Sequence, residues 1–204
     1  MTIVKRLMTL PTRTRILDAA LVLFAENGYR GTSVGQIEAA AGLTERGGAA
    51  YKHFRSKTEI LHAALERQIE QIIEMRSTVA NLLPLGDARA DLVLLARWIL
   101  AELRREELIN ALMEKESDSV EGLREQFRDR VVEPGYAAAA QILHDRLDAL
   151  GLDPSTDTDA LAAVTVGALV NYRRHQWTFG TPPLGVDEQR YVEALVGMLG
   201  PGRR

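Results

Sequence analysis

Tyr51-Lys52-His53-Phe54, followed by Ser56-Lys57, gathers a phenol hydroxyl, an ammonium and an imidazole within about one helical turn. Such donors hold phosphates rather than make bonds. Lys57 stands at the start of a further helix, where free backbone amides also favour an anion. Just upstream, Glu45-Arg46-Gly47-Gly48 adds a guanidinium that can bond a guanine edge bidentately or grip a phosphate. The two glycines either let the backbone approach a ligand closely or simply loosen the segment. Phe54 reads as core. Together these residues suggest a surface that meets nucleic acid.

Other chemistries lack their residues. The histidines at 53, 62, 144 and 175 have no HExxH or other close ligand spacing on one helix face. There is no GxSxG elbow, phosphate-binding Walker loop or dinucleotide glycine fingerprint, and the acids are scattered along solvated faces. The expectation is a protein that is not an enzyme, with no catalytic residues, no metal and no cofactor. The absence of cysteine excludes disulfides and fits a reducing cytoplasm. No window approaches the ~18 apolar residues of a membrane span, so a soluble, cytoplasmic protein with no membrane partner is expected. Net charge is −3, but residues 1–57 hold nine Lys/Arg against four acids. A basic head on an acidic body suits a polyanion.

The periodicity is helical almost everywhere, so the fold class is all-α. Leu17, Ala20, Leu21 and Phe24 form one apolar stripe ending at Gly28. Ser33 with Gln36 makes a capping box for a second helix, which Gly42 stops. Ala41-Gly42-Leu43-Thr44 is then a turn, with Thr44 the natural cap of a third helix that includes Tyr51 and Phe54. Ser56 with Glu59 opens a longer helix through Leu61, Leu65, Ile69 and Ile73. After a break at Pro84, Gly86 and Asp87, helices follow on Leu92 to Leu103, from Glu107, and from a cap at Asp118 or Ser119 through Val131. Pro134-Gly135 should kink or interrupt that last one. Helix resumes to Leu150 and ends at Gly151. The next runs from Thr158 to about Phe179 with Gly167 inside it, where a close neighbouring helix would offset the glycine's ~1 kcal/mol cost. A final helix carries Tyr191, Leu195 and Met198.

Read in order, Arg15-Ile16-Leu17, Ala19-Ala20, Leu23-Phe24-Ala25-Glu26, Gly28-Tyr29, Gly31-Thr32-Ser33-Val34, Ile37, Ala41-Gly42-Leu43-Thr44, Tyr51-Lys52-His53-Phe54 and Ser56-Lys57 resemble the DNA-binding domain of the TetR family of bacterial transcription regulators. The resemblance implies an N-terminal three-helix helix-turn-helix domain at 1–57 and a C-terminal helical ligand-binding and dimerisation domain at 58–204. Thr32, Ser33, Thr44, Tyr51, His53 and Lys57 would contact phosphates, with Lys52 beside them. The stretch from Glu45 to Ala49, including Arg46, Gly47 and Gly48, would read bases. The family pattern places four residues between the threonine and the tyrosine, whereas six stand here, Glu45 to Ala50. Either the turn is longer or the helix begins early.

A homodimer on double-stranded DNA is implied, because two heads must reach successive major grooves ~34–36 Å apart on a palindromic operator. Leu161, Val164, Ala168 and Tyr172, with Tyr191, Leu195 and Met198, offer stripes for a four-helix dimer interface. A small-molecule effector pocket is expected among Trp98, Asn110, Met113, Phe127, Asn171, His175 and Trp177, which combine apolar walls with polar handles. A repressor released by its effector fits best. An activator, a ligand-independent regulator, or a helical interaction module that has lost DNA binding remain alternatives.

Overall fold

A computed structural model describes residues 10–45, 47–116 and 122–199, without the side chains of 113–116. Arg46, the Met113 side chain and the expected cap at Asp118 or Ser119 lie outside the described residues. Among the described residues every regular element is helical, and no helix is long and apolar enough to cross a membrane.

The chain divides into two compact units, one of residues up to Gln71 with Leu108–Gln126, the other Ile72–Glu107 with Phe127 onward. In the first unit, α1 (Thr12–Gly31) buries Ile16, Leu17, Ala20, Leu21 and Phe24, one side of a 3.6-residue period. Its helical path fails at Gly28, whose φ of 75° places it where glycine has no steric penalty. Thr32 and Ser33 follow, and Ser33 opens α2 (Val34–Ala40) with the expected capping box. The Gln36 amide bonds Ser33 Oγ at 3.2 Å, and Gln36 Oε1 accepts from the Ser33 amide at 2.7 Å. α3 (Lys57–Ala80) begins after Ser56, whose hydroxyl accepts from the Glu59 amide at 3.1 Å. Glu59 reaches one residue further back than a capping box requires and accepts from the Arg55 amide at 2.6 Å.

The third short helix does not form as expected. Between Thr44 and Phe54 the chain makes a turn and a single 3-10 turn at Ala50–Lys52. Thr44 therefore caps no α-helix; its carbonyl accepts from the Gly47 amide at 3.0 Å. Gly48 has φ +71°, a left-handed value that stops helical propagation. A Cβ on Gly47 would stand 2.9 Å from the Thr44 carbonyl oxygen, so that tight closure needs glycine as well.

The second unit holds the end of α3, then α4 (Ala88–Arg105), with α5 (Glu107–Glu116) starting at its edge. After α6 (Leu123–Phe127), which lies largely in the first unit, come α7 (Glu133–His144), α8 (Leu147–Leu150), α9 (Thr158–Phe179) and α10 (Glu188–Leu199). Pro134-Gly135 does not break the chain path. Arg128–Val132 widens into a π-helical turn and Pro134 falls in the first turn of α7, where a missing N–H costs little. Leu100, Ala139, Leu143, Ala162, Leu169, Tyr172, Val192 and Leu195 belong to one core.

That core overturns most of the expected dimer stripe. Tyr172 is fully buried, its ring 4.3 Å from Tyr191 and its hydroxyl donating to the Val186 carbonyl at 3.0 Å. Tyr191 donates to the Ala168 carbonyl at 2.8 Å. Leu195 is buried and Leu161 packs against the same cluster. Only Val164, 69% exposed, and Met198, 77% exposed, face outward. The stripes expected to join two copies instead join α9 to α10 within the chain. Gly167 also departs from expectation, since a Cβ there would meet nothing within 4 Å.

Candidate nucleic-acid interface and effector cavity

The structure brings Tyr51, Lys52 and His53 together on one exposed turn, with Tyr51 60% exposed. Ser33, Thr44, Glu45 and Gly47 are also exposed, and Gly48 is half-buried. What holds that turn is a residue the sequence reading did not single out. Glu38 is 1% exposed and its Oε1 accepts from the Ala50 amide at 2.8 Å. The Ala50 carbonyl in turn receives the amides of His53 and Phe54, both at 2.9 Å. Phe54 is buried as expected, with the Arg13 guanidinium 5.2 Å from its ring centroid. Three exposed side chains therefore rest on a backbone fixed from beneath.

Two expected phosphate ligands have other partners. Thr32 is buried, its hydroxyl 2.9 Å from the Gly28 carbonyl and 3.0 Å from that of Leu23. It satisfies carbonyls at the end of α1 rather than presenting a free hydroxyl. Lys57 donates to the carbonyls of Tyr29 at 2.7 Å and Thr32 at 2.9 Å, with its ammonium 4.1 Å from the Tyr29 ring centroid. Its charge favours an anion nearby, but two of its three protons are already used.

Of the seven residues expected to line an effector pocket, the structure places one, Trp98, at a cavity. Asn110 is half-buried on α5, within the first unit, and Asn171 is exposed. Phe127 is buried and Trp177 half-buried, and neither lines the cavity. His175 turns its Nδ1 toward the Thr181 carbonyl at 2.7 Å. The cavity lies within the second unit and has a volume of about 120 Å³. Leu95, Trp98, Ile99, Val131, Tyr136 and Val166 give it apolar walls. The indole Nε1 of Trp98 is buried without an acceptor.

Three ionisable groups interrupt those walls: Arg76, Glu102 and Glu106. Arg76 donates to the Val131 carbonyl at 2.9 Å and to Glu102 at 3.2 Å. Its guanidinium lies against Gly135, where a Cβ would come within 3.2 Å of Nη2. Glu102 is raised above its ordinary pKa by burial, with the Arg76 charge and hydrogen bond opposing. Glu106 is pushed up to about 7, first by burial and then by the like charge of Glu102, with Arg76 pulling the other way. No spacing rule flags either acid. They became visible only once the neighbouring helices were in place.

Residues 16–64 match the model of the bacterial regulatory proteins, tetR family. That segment belongs to the tetR family. It is 27% identical to the HTH-type transcriptional regulator AcrR of Shigella flexneri over 92% of this chain and 87% of that protein. SrpR of Pseudomonas putida is 46% identical, but only over 26% of this chain and 24% of its own length. Among solved structures, a protein from Saccharomonospora viridis described as a transcriptional regulator, in complex with choline, superimposes with TM-score 0.66 at 25% identity, covering 92% of each chain. As a tetR-family protein the chain is a transcriptional regulator, and its relatives are regulators rather than enzymes. The all-helical architecture agrees with the neighbours' fold.

Proposed function

We propose that the chain is a cytoplasmic, homodimeric repressor that leaves a palindromic operator when a small molecule enters the second unit. The observation that carries the reading is the exposed Tyr51-Lys52-His53 turn, pinned through Ala50 to buried Glu38 inside a tetR-family head. Residues 1–57 serve DNA and 58–204 serve effector and partner. Tyr51, Lys52 and His53 hold phosphates, and the Thr44–Ala49 turn, with Arg46, approaches the bases. The Saccharomonospora neighbour's choline supports a small-molecule effector. A coupling of ~1–3 kcal/mol between effector and DNA suffices for a 5–150-fold loss of affinity. α3 transmits it, as it runs unbroken from Lys57 to Ala80.

Duplexes selected from a random pool and titrated by fluorescence anisotropy test the reading. Binding falls with salt, and replacing Lys52 by alanine lowers the slope of log K against log salt by about 0.9, the value for one lost phosphate contact. Tyr51→Phe weakens all duplexes alike, since a phosphate contact carries no sequence information. Failure to retain any duplex at low salt sinks the reading.

The dimer is testable separately. Its outward face on α9 and α10 carries Val164, Gly167, Ala194, Gly197 and Met198, and neither glycine has a neighbour within 4 Å of a Cβ. Val164→Glu places a charge on that face and is expected to yield monomers by sedimentation while leaving the intrachain core unchanged. Dimers of undiminished stability in this variant would move the interface elsewhere.

A further inference from the structure

The charges around the cavity do not balance. Arg76 is bound to the Val131 carbonyl and to Glu102, and it neutralises that one carboxylate. Glu106 is 7% exposed, and among the described residues nothing donates to or pairs with its carboxyl group. A buried acid in apolar surroundings is costly unless it is paired. Every other side chain lining the cavity is uncharged, so among the described residues no counter-charge is left for an ionised Glu106.

We infer that the cavity takes a small organic cation, a ring-sized apolar body bearing a protonated amine or quaternary ammonium, with Glu106 as its counter-charge. The proposal names the effector class for the regulator reading above and rests on that reading only for its consequence at DNA. Size supports the ring-sized body, since a buried apolar space of about 150 Å³ is known to hold benzene and this one measures about 120 Å³. Trp98 and Tyr136 add aromatic walls, whose faces attract cations. An acidic ligand of the same size brings a third negative charge beside Glu102 and Glu106, and a neutral alcohol leaves the charge uncompensated.

Calorimetric titration of the full chain at pH 8, without DNA, with benzylamine, benzyltrimethylammonium, benzyl alcohol and benzoate tests the inference. At least one of the two cations binds tenfold or more tightly than both the alcohol and benzoate. If both do, charge and ring suffice; if only the amine does, its N–H donors are also used. Glu106→Gln costs the cations tenfold or more in affinity and leaves the alcohol unchanged. Equal or tighter binding of benzoate or the alcohol overturns the proposal, as does binding of none of the four, or cation affinity unaltered by Glu106→Gln. The ranking of the four ligands on the unaltered protein needs no variant to fold. Intact duplex binding with no cation binding removes the inference alone. Cation binding without duplex binding removes the regulator reading and leaves the site.

Discussion

Replacing Glu38 by alanine is expected to weaken duplex binding tenfold or more and to destabilise the first unit by about 2 kcal/mol. The Ala50 amide that Glu38 receives at 2.8 Å belongs to a fully buried residue, so no water replaces the lost acceptor. An orphaned donor of this kind costs ~1–3 kcal/mol, more than the net worth of the bond it loses. Ala50 is also the residue on which the His53 and Phe54 amides close, so the turn presenting Tyr51, Lys52 and His53 loses its anchor. Glu38→Gln keeps an acceptor oxygen in the same place and should retain most of the affinity. Anisotropy on one selected duplex, beside urea unfolding, separates the outcomes. Undiminished affinity in Glu38→Ala would show that the turn is held by something else.

Glu106→Gln is expected to stabilise the protein, and only at the upper end of the pH range. The folded chain holds the Glu106 pKa near 7, above its ordinary 4.5, so the native state keeps the proton after the unfolded chain has released it. Stability is thus full below about pH 4.5 and declines as pH rises to about 7, where the carboxylate must ionise beside Glu102. Above that the deficit is constant. At ~1.4 kcal/mol per pH unit it is on the order of 3 kcal/mol, reached with Glu102 and Arg76 as the charged neighbours facing the group. Glutamine carries no charge to bury, so the variant's melting temperature should match the parent at pH 4.5 and exceed it at pH 8. A difference that stays flat between those two pH values would refute the buried-acid account. The same substitution strengthens the fold and weakens the proposed cation site, which is how a binding residue differs from a packing one.

The helices of the head were largely legible, because caps and apolar period are local signals. Ser33 with Gln36, the stop at Gly28 and the opening of α3 after Ser56 each depend on neighbours within four residues. The segment from Thr44 to Tyr51 was legible only as a departure. Its two extra residues bring a glycine pair, and the structure resolves them as a turn because Gly48 adopts a left-handed conformation. Glu38 was illegible for a related reason. In an α-helix the Ala50 amide would find a carbonyl four residues back; in a turn it needs a side chain, and the side chain that serves stands twelve residues away.

In the second unit, one apolar stripe fits two destinations equally well. Tyr172 and Leu195 have the spacing of an interface, yet they pack inside the chain and leave Val164 and Met198 outside. Periodicity gives a face without saying what covers it. Trp98 could be named as a cavity residue from its chemistry, whereas Arg76 on α3, Glu102 on α4 and Glu106 at the C-terminal cap of α4 meet only through packing.

Gly135 makes the charge of the cavity a question of volume. A Cβ at position 135 would stand 3.2 Å from Nη2 of Arg76, a contact tight enough to shift the guanidinium by a few tenths of an ångström. Any larger residue there presses on an arginine tethered at both ends, to Val131 and to Glu102. A methyl group there, itself without charge, bears on the guanidinium that pairs with Glu102. Position 135 thus touches the cavity's charges without carrying one.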